Sequence, residues 1–309
     1  MTRAELVDLY TNAYDSFMQI AAEAVDVKHP KVADVIIDPT KDYKYNAISS
    51  MGAWEAVDED SSTGLDHFVL GYEGTITPGK FRKYFYVTYE ANFQVEYAQL
   101  KSKIFQAKEL GRGGQFTLEL EVAHYLYNGF STACADGQYL FYNSHPKNPE
   151  ETGTTYDNLL SGAFSHDALE EAEKTISANF LDLDGMPMAP YAGKPTLAYP
   201  SALRGPVMRV LSERAGERPG TTVRDINIYS GEYDPVEWVF LGSKFNGSDT
   251  AWYIIYPALK NLKLVKNTEK PNFASWIDEL NQRYYFDAWQ FAQAEAVDWR
   301  GLFASTGTV

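Results

Sequence analysis

The chain carries a single cysteine, Cys134, among 309 residues. One thiol excludes an internal disulfide and a thiolate metal cage, and it suits a reducing compartment. Positive charge is also scarce, with 27 lysines and arginines against 42 aspartates and glutamates and a net charge of −15. Grip on a nucleic-acid backbone needs clustered cations, so this balance argues against electrostatic binding of DNA or RNA. It does not exclude a protein that encloses nucleic acid. Long apolar runs are missing too. No stretch approaches the roughly 18 consecutive apolar residues of a membrane span, and the opening MTRAELVDLY has no apolar signal core. A soluble, intracellular protein is expected.

Catalytic signatures are absent as well. The five histidines, His29, His67, His124, His145 and His166, show neither HxH nor HExxH spacing. His124 reads as a packed histidine in a helical run, and His145, before a proline, as a turn residue. No GxSxG elbow is present. Gly111-Arg-Gly-Gly114 lacks the following Gly-Lys-Ser/Thr of a phosphate loop, so a hinge between two helices explains it more cheaply. Asp182-Leu-Asp184-Gly185 shares part of a calcium loop, but the other ligands are missing and a turn after a helix is the better account. The sequon Asn246-Gly-Ser248 has no meaning without secretion. Asp58, Glu59 and Asp60, flanked by serines and glycine, read as a solvated loop tip. No catalytic residue, metal ligand or cofactor is nominated.

What remains is a large apolar and aromatic content: 45% hydrophobic residues, with 22 tyrosines and 17 phenylalanines. That suits both a sizeable core and broad packed interfaces. Thr2–Ala24 has the three- and four-residue apolar spacing of an amphipathic helix, on Leu6, Leu9, Ala13, Phe17, Ile20 and Ala24, and Thr2 with Glu5 has capping-box spacing. VADVIIDP predicts a short strand stopped by Asp38-Pro39. Gly52–Lys83 is too long for an ordinary connection, and strand-like AWEAV and KYFYVTY at its ends suggest a long two-stranded hairpin. Such a hairpin is marginal alone and wants a neighbour to lie on.

Further along, Tyr84–Tyr89 reads as strand, and Phe93–Leu110 and Gln115–Phe130 as helices either side of the glycines, the second ending at Asn128-Gly129. Ser165–Phe180 is a helix with Ser165 as N-cap and Leu169, Ala172, Ile176 and Phe180 on one face. Thr196–Tyr199 reads as a buried strand and Ser201–Leu211 as a helix. Strands are expected near Val223–Tyr229, Val236–Leu241 and Trp252–Tyr256. Past Phe273, RYYFDAWQF is apolar on both helical and strand periods.

The order of these elements, with several local stretches, resembles the tailed-bacteriophage major capsid proteins of the Hong Kong 97-type fold, and more narrowly the Mu-type major head subunit family. The stretches are Tyr84–Asn92 (YFYVTYEAN), Gln138–Pro146 (QYLFYNSHP), Asn158–Ala163 (NLLSGA) with the helix after it, Asp184–Met188 (DGMPM), Pro195–Pro200 (PTLAYP), Pro219–Thr222 (PGTT) and Ile226-Asn227. Each is weak alone; their shared order over roughly Ala47 to Gly301 is specific.

The resemblance implies an α+β fold in five stretches. These are an N-terminal arm over 1–47, an extended loop (E-loop) over 48–84, a peripheral (P) domain with a spine helix over 85–132, an axial (A) domain over 133–265, and a return to the P-domain over 266–309. It favours strand for Tyr284–Phe303. Intersubunit contacts would come from Trp54, Asp58, Phe68, Tyr72, Lys80, Phe81 and Lys83 in the E-loop, and from Leu6, Tyr10 and Phe17 in the arm. The implied partner is the chain itself, as hexamers and pentamers of an icosahedral shell around double-stranded DNA that is not read by sequence. A separate scaffold or protease, a portal and a decoration protein would join it, with no membrane. The shell would be assembled in the host bacterial cytoplasm and end in the virion. Some relatives begin with a long scaffolding segment and some crosslink lysine to asparagine; the arm expected at Met1 implies a separate or absent scaffold, and no crosslink is expected. Two rival readings are an encapsulin-type cellular compartment of the same fold that binds cargo proteins, and a carbohydrate-active enzyme.

Overall fold

The computed structural model describes residues 26–48, 70–88, 97–188, 193–212 and 227–308. The helix expected at Thr2–Ala24 lies outside them, as do Leu6, Tyr10, Phe17, Trp54, Asp58 and Phe68.

The longest element is α1, Tyr97–Asn128, one unbroken helix of 32 residues, about 48 Å long at 1.5 Å per residue. The hinge expected at Gly111–Gly114 is therefore corrected: the two helices are one. A glycine inside a helix costs roughly 1 kcal/mol relative to alanine, and tertiary packing outweighs that here. Leu110, Leu118, Val122, Ala123 and Leu126 are buried, and the Gln290 side chain donates to the Gly114 carbonyl at 2.8 Å. The helix stops at Asn128-Gly129 as expected. A Cβ on Gly129 would lie 2.7 Å from the Phe141 ring and 3.0 Å from the Leu126 carbonyl oxygen, so only glycine permits that approach.

There are two five-stranded sheets, and α1 packs on the first. In the first, β1 (Asp34–Ile37) pairs in parallel with β11 (Leu262–Lys266), and β11 pairs antiparallel with β13 (Arg283–Ala296). β12 (Asn272–Asp278) and β4 (Gly79–Thr88) flank β13 on opposite edges, Ser275 and Phe85 both facing Phe286. RYYFDAWQF is thus strand, apolar on both faces because α1 covers one side and the other carries exposed aromatics. The second sheet runs β7 (Leu159–Leu160), β14 (Leu302–Ser305), β10 (Trp252–Ile255), β8 (Thr196–Tyr199) and β9 (Asp234–Glu237). Every residue of β8, β10 and β14 is buried, which removes the usual in–out alternation.

Helix α2 (His166–Asn179) has the expected cap, with the Ser165 hydroxyl accepting from the Ala168 amide at 3.1 Å. Its face of Leu169, Ala172 and Ile176, continued by Phe180, sits in the main core. Helix α3 (Arg204–Leu211) follows a 3-10 turn at Ser201–Leu203. Asp182 closes the expected turn, its carboxylate accepting the amides of Asp184 and Met186.

Three other expectations need correction. The strand expected over Val236–Leu241 is β9 over Asp234–Glu237, followed by a 3-10 turn at Val239–Leu241. Of the strand expected at Val223–Tyr229, the described end is a turn, pinned because the Asn227 amide group donates to the Val210 and Ser212 carbonyls. The third concerns the hairpin. β2 (Tyr43–Ile48) pairs with β3 (Leu70–Ile76), whereas KYFYVT lies in β4 and pairs with β13, more than 190 residues away. Aromatic partners on β13 capture it, so it is not the returning half of the hairpin.

Candidate assembly surface

The β2–β3 hairpin is seated at its base. Tyr45 and Ile76 are buried with Val265 and Val297, and the Tyr45 ring lies over Gly74, its cross-strand partner, where a Cβ would clash with it. Burial, with Glu295 close by, pushes the Tyr45 phenol well above its ordinary range. Tyr72, two residues from Leu70 on the same strand, is half-buried, and burial raises its phenol as well. Leu70, at the far end, is 59% exposed. The base is anchored and the far end is open.

The remaining described E-loop candidates lie elsewhere. Lys80, Phe81 and Lys83 are on β4. Phe81 packs on the main core and, with Leu110, Gly113, Gly114, Pro271 and Trp289, lines a cavity of about 180 Å³. Lys80 sits 5.6 Å from the Trp289 ring and 5.8 Å from that of Phe291. Of the seven E-loop positions nominated, only Tyr72 is placed on the described hairpin.

The first sheet has two unlike faces. Towards α1, Phe85, Phe286, Phe273 and Ala288 pack around Leu110. On the opposite face Trp276 stacks on Tyr285 at 5.1 Å, with Tyr84 and Tyr86 beside it. Arg283 lies over Tyr86 at 4.6 Å, and Arg82 grips the buried Asp287 carboxylate through Nε at 3.0 Å. Tyr84, Tyr86 and Trp276 remain 58%, 47% and 41% exposed, and Leu280 in the β12–β13 turn is 90% exposed. A row of cation-braced aromatics this open has the composition typical of contact surfaces. Sequence reading missed it because three distant strands assemble it.

Two buried histidine–carboxylate hydrogen bonds hold segments to the body. Glu119 on α1 accepts at one oxygen from the Lys28 amide, the His29 amide and the His29 imidazole at 2.8–3.0 Å. His145, expected in a turn, is in the two-residue strand β5 (His145–Pro146), fully buried against Asp136 at 2.6 Å and stacked on Trp299 at 4.5 Å. The Arg300 guanidinium beside it pairs with Asp298 and donates to the Leu181 carbonyl. With side chains 0% and 1% exposed, His145 and Asp136 have no route to a substrate. Among the described residues, His166, Asp167 and Glu170 also bring possible ligand atoms within 4.8 Å of one another. They occupy the first turn of α2, where the positive helix end already accounts for carboxylates and disfavours a cation.

The sequence profile of the Mu-like prophage major head subunit gpT matches residues 87–169, the end of β4 through the start of α2. No curated protein matches the sequence. Among solved structures, the chain is similar to a subunit of the bacteriophage JBD30 procapsid, with TM-score 0.55 and 17% identity over 100% of this chain and 77% of that one. It is similar to the virus-like particle of Pyrococcus furiosus, with TM-score 0.53 and 10% identity over 96% and 99%. It is also similar to the capsid of Ralstonia phage GP4, with TM-score 0.54 and 10% identity over 90% and 87%. The architecture is the Hong Kong 97-type shell fold, and the part of it over residues 87–169 is similar to a Mu-like prophage major head subunit.

Proposed function

We propose that this chain is the head subunit of a tailed phage, assembling as hexamers and pentamers into an icosahedral shell around double-stranded DNA. The observation that carries the reading is the match to a Mu-like prophage major head subunit over the end of β4, α1 and the segment after it, on a chain with the fold of phage shell subunits. A net charge of −15 agrees with enclosing DNA rather than gripping it. The compartment alternative shares the fold, but the profile match favours a phage head.

The domain plan follows. Residues 1–47 form the arm and 48–84 the E-loop; the described β2–β3 hairpin, Tyr43 to Ile76, begins within the arm, and β4 from Gly79 belongs to the main sheet. Residues 85–132 and 266–309 form the P-domain, with α1 as its spine, and 133–265 the A-domain. Trp54, Asp58, Phe68 and Tyr72 reach a neighbour, as do Leu6, Tyr10 and Phe17. A scaffold or protease, a portal and a decoration protein complete assembly in the host bacterial cytoplasm.

Light scattering and electron microscopy of the purified protein test this. Capsomers, tubes or shells are expected; a monomer at every concentration, even with scaffold supplied, overturns it. Deleting 58–66, which leaves β2 and β3 whole, is expected to give a folded subunit that makes no shells.

A further inference from the structure

The His145 side chain is fully enclosed, and both of its ring nitrogens face oxygen. Nε2 stands 3.2 Å from the side-chain oxygen of Asn158. The orientation of that amide is fixed by its surroundings. Its NH2 donates to the Leu140 and Leu302 carbonyls at 2.8 and 3.0 Å, and its oxygen accepts the Tyr142 backbone amide at 2.8 Å. Reversing it would set oxygen against two carbonyls, so the atom facing Nε2 is an acceptor and Nε2 must carry a hydrogen. Nδ1 meets the Asp136 carboxylate at 2.6 Å, a contact that also needs a proton. A neutral imidazole has one N–H and cannot serve both.

The charges packed around the ring agree. Asp136 and the Tyr142 ring reach it from one side. From 298–300 come Trp299, stacked on the imidazole at 4.5 Å, and Asp298 with Arg300, which pair with each other. Asp157 adds a half-buried carboxylate within electrostatic reach of His145, and Tyr72 on β3 adds a phenol within reach of Asp136, Asp298 and Arg300. With a neutral ring, three carboxylates would share one guanidinium. A charged ring gives Asp136 and Asp298 a cation each. We propose that His145 is an imidazolium in the folded chain at neutral pH, and that its second proton clamps residues 136–158 onto β14. Asn158 carries the clamp, since its backbone carbonyl accepts the Ala304 amide while its side chain holds Leu302. Above about pH 6.5 the unfolded ring is neutral, so folding there takes up a proton. Stability is full below that pH and falls as pH rises. Losing the proton sets a ring lone pair against Asn158 or Asp136 in a dry site, which opens the clamp. All of this lies within one chain, so it stands apart from the shell reading.

Two measurements on the full-length subunit test it. Long-range proton–nitrogen correlation spectra of histidine-labelled protein at about pH 7.5 are expected to show both His145 ring nitrogens protonated, with His145→Gln assigning the signal. A His145 ring with one bare nitrogen overturns the proposal. Denaturant unfolding between about pH 5 and pH 9 counts the proton. The ratio of wild-type to His145→Gln folding constants is expected to be flat below about pH 6 and to fall about tenfold per unit from about pH 7 to 8. A ratio flat to about pH 9 also overturns it. If His145→Gln does not fold, replacing the other four histidines one at a time assigns the signal by elimination, and the spectrum decides alone.

Discussion

The Glu119 carboxylate holds the His29 imidazole at 2.8 Å, joining residues 90 positions apart with both side chains buried. The same oxygen also accepts the amides of Lys28 and His29. A single α1 side chain therefore fixes where the N-terminal segment meets the body. Replacing it by alanine strands two backbone donors and an imidazole away from water. Glu119→Ala is expected to cost about 3–5 kcal/mol, as for other broken buried pairs. Denaturant unfolding measures the cost, and limited proteolysis should show new cleavage near Lys28 and Lys31. A loss under about 1 kcal/mol with no new cleavage contradicts the anchor.

The second buried pair gives a graded series. Asp136→Ala leaves His145 beneath Trp299 without its carboxylate and is expected to destabilise by about 3–5 kcal/mol. Asp136→Asn keeps an acceptor for the ring and should cost less. Equal losses in thermal unfolding would show that a neutral acceptor does not replace the carboxylate, and losses near zero in both that the hydrogen bond contributes nothing.

The glycines of α1 and its end should respond oppositely. A Cβ on Gly113 meets nothing within 4 Å, so Gly113→Ala is expected to stabilise the isolated subunit by about 1 kcal/mol. Gly129→Ala drives a methyl into the Phe141 ring and should cost about 1–3 kcal/mol. Unfolding midpoints of the unassembled protein test both. Stabilisation without assembly in Gly113→Ala would show that a neighbour uses the open space.

Glu121 supplies a pH dependence. Burial raises its carboxyl pKa, partly offset by a hydrogen bond from the Ala294 backbone. The folded state therefore binds more protons, and this contribution to stability is full below the ordinary glutamate range, about 4.3, and lost as pH rises through the raised value. Glu121→Gln should be more stable than wild type near neutral pH, by up to about 1 kcal/mol after solvent screening, and equal to it near pH 3. Parallel melting curves with no convergence in acid would rule this out.

Local signals were legible where side chains act on near neighbours. Ser165 caps α2, Asp182 closes its turn and the apolar face of Leu169, Ala172 and Ile176 is buried, each readable from spacing of three or four residues. Gly111–Gly114 misled because helix propensity is local, while the Gln290 bond and the packing of Leu110 come from a distant strand. KYFYVT was readable as strand but not as the partner of β13, since strand character says nothing of register or neighbour.

By itself the sequence determined the acidic balance, the lack of catalytic spacing, the caps and amphipathic faces, and an order of elements specific enough to indicate a shell subunit. Only the tertiary structure decided that α1 is continuous, that His145 and Asp136 form a buried pair, and that β4 belongs to a sheet with an open aromatic face. The physical reason is range. Capping and periodicity act within one or two turns of chain, whereas the Glu119–His29 contact and the sheet face join residues that only long-range packing brings together, a reward no local window contains.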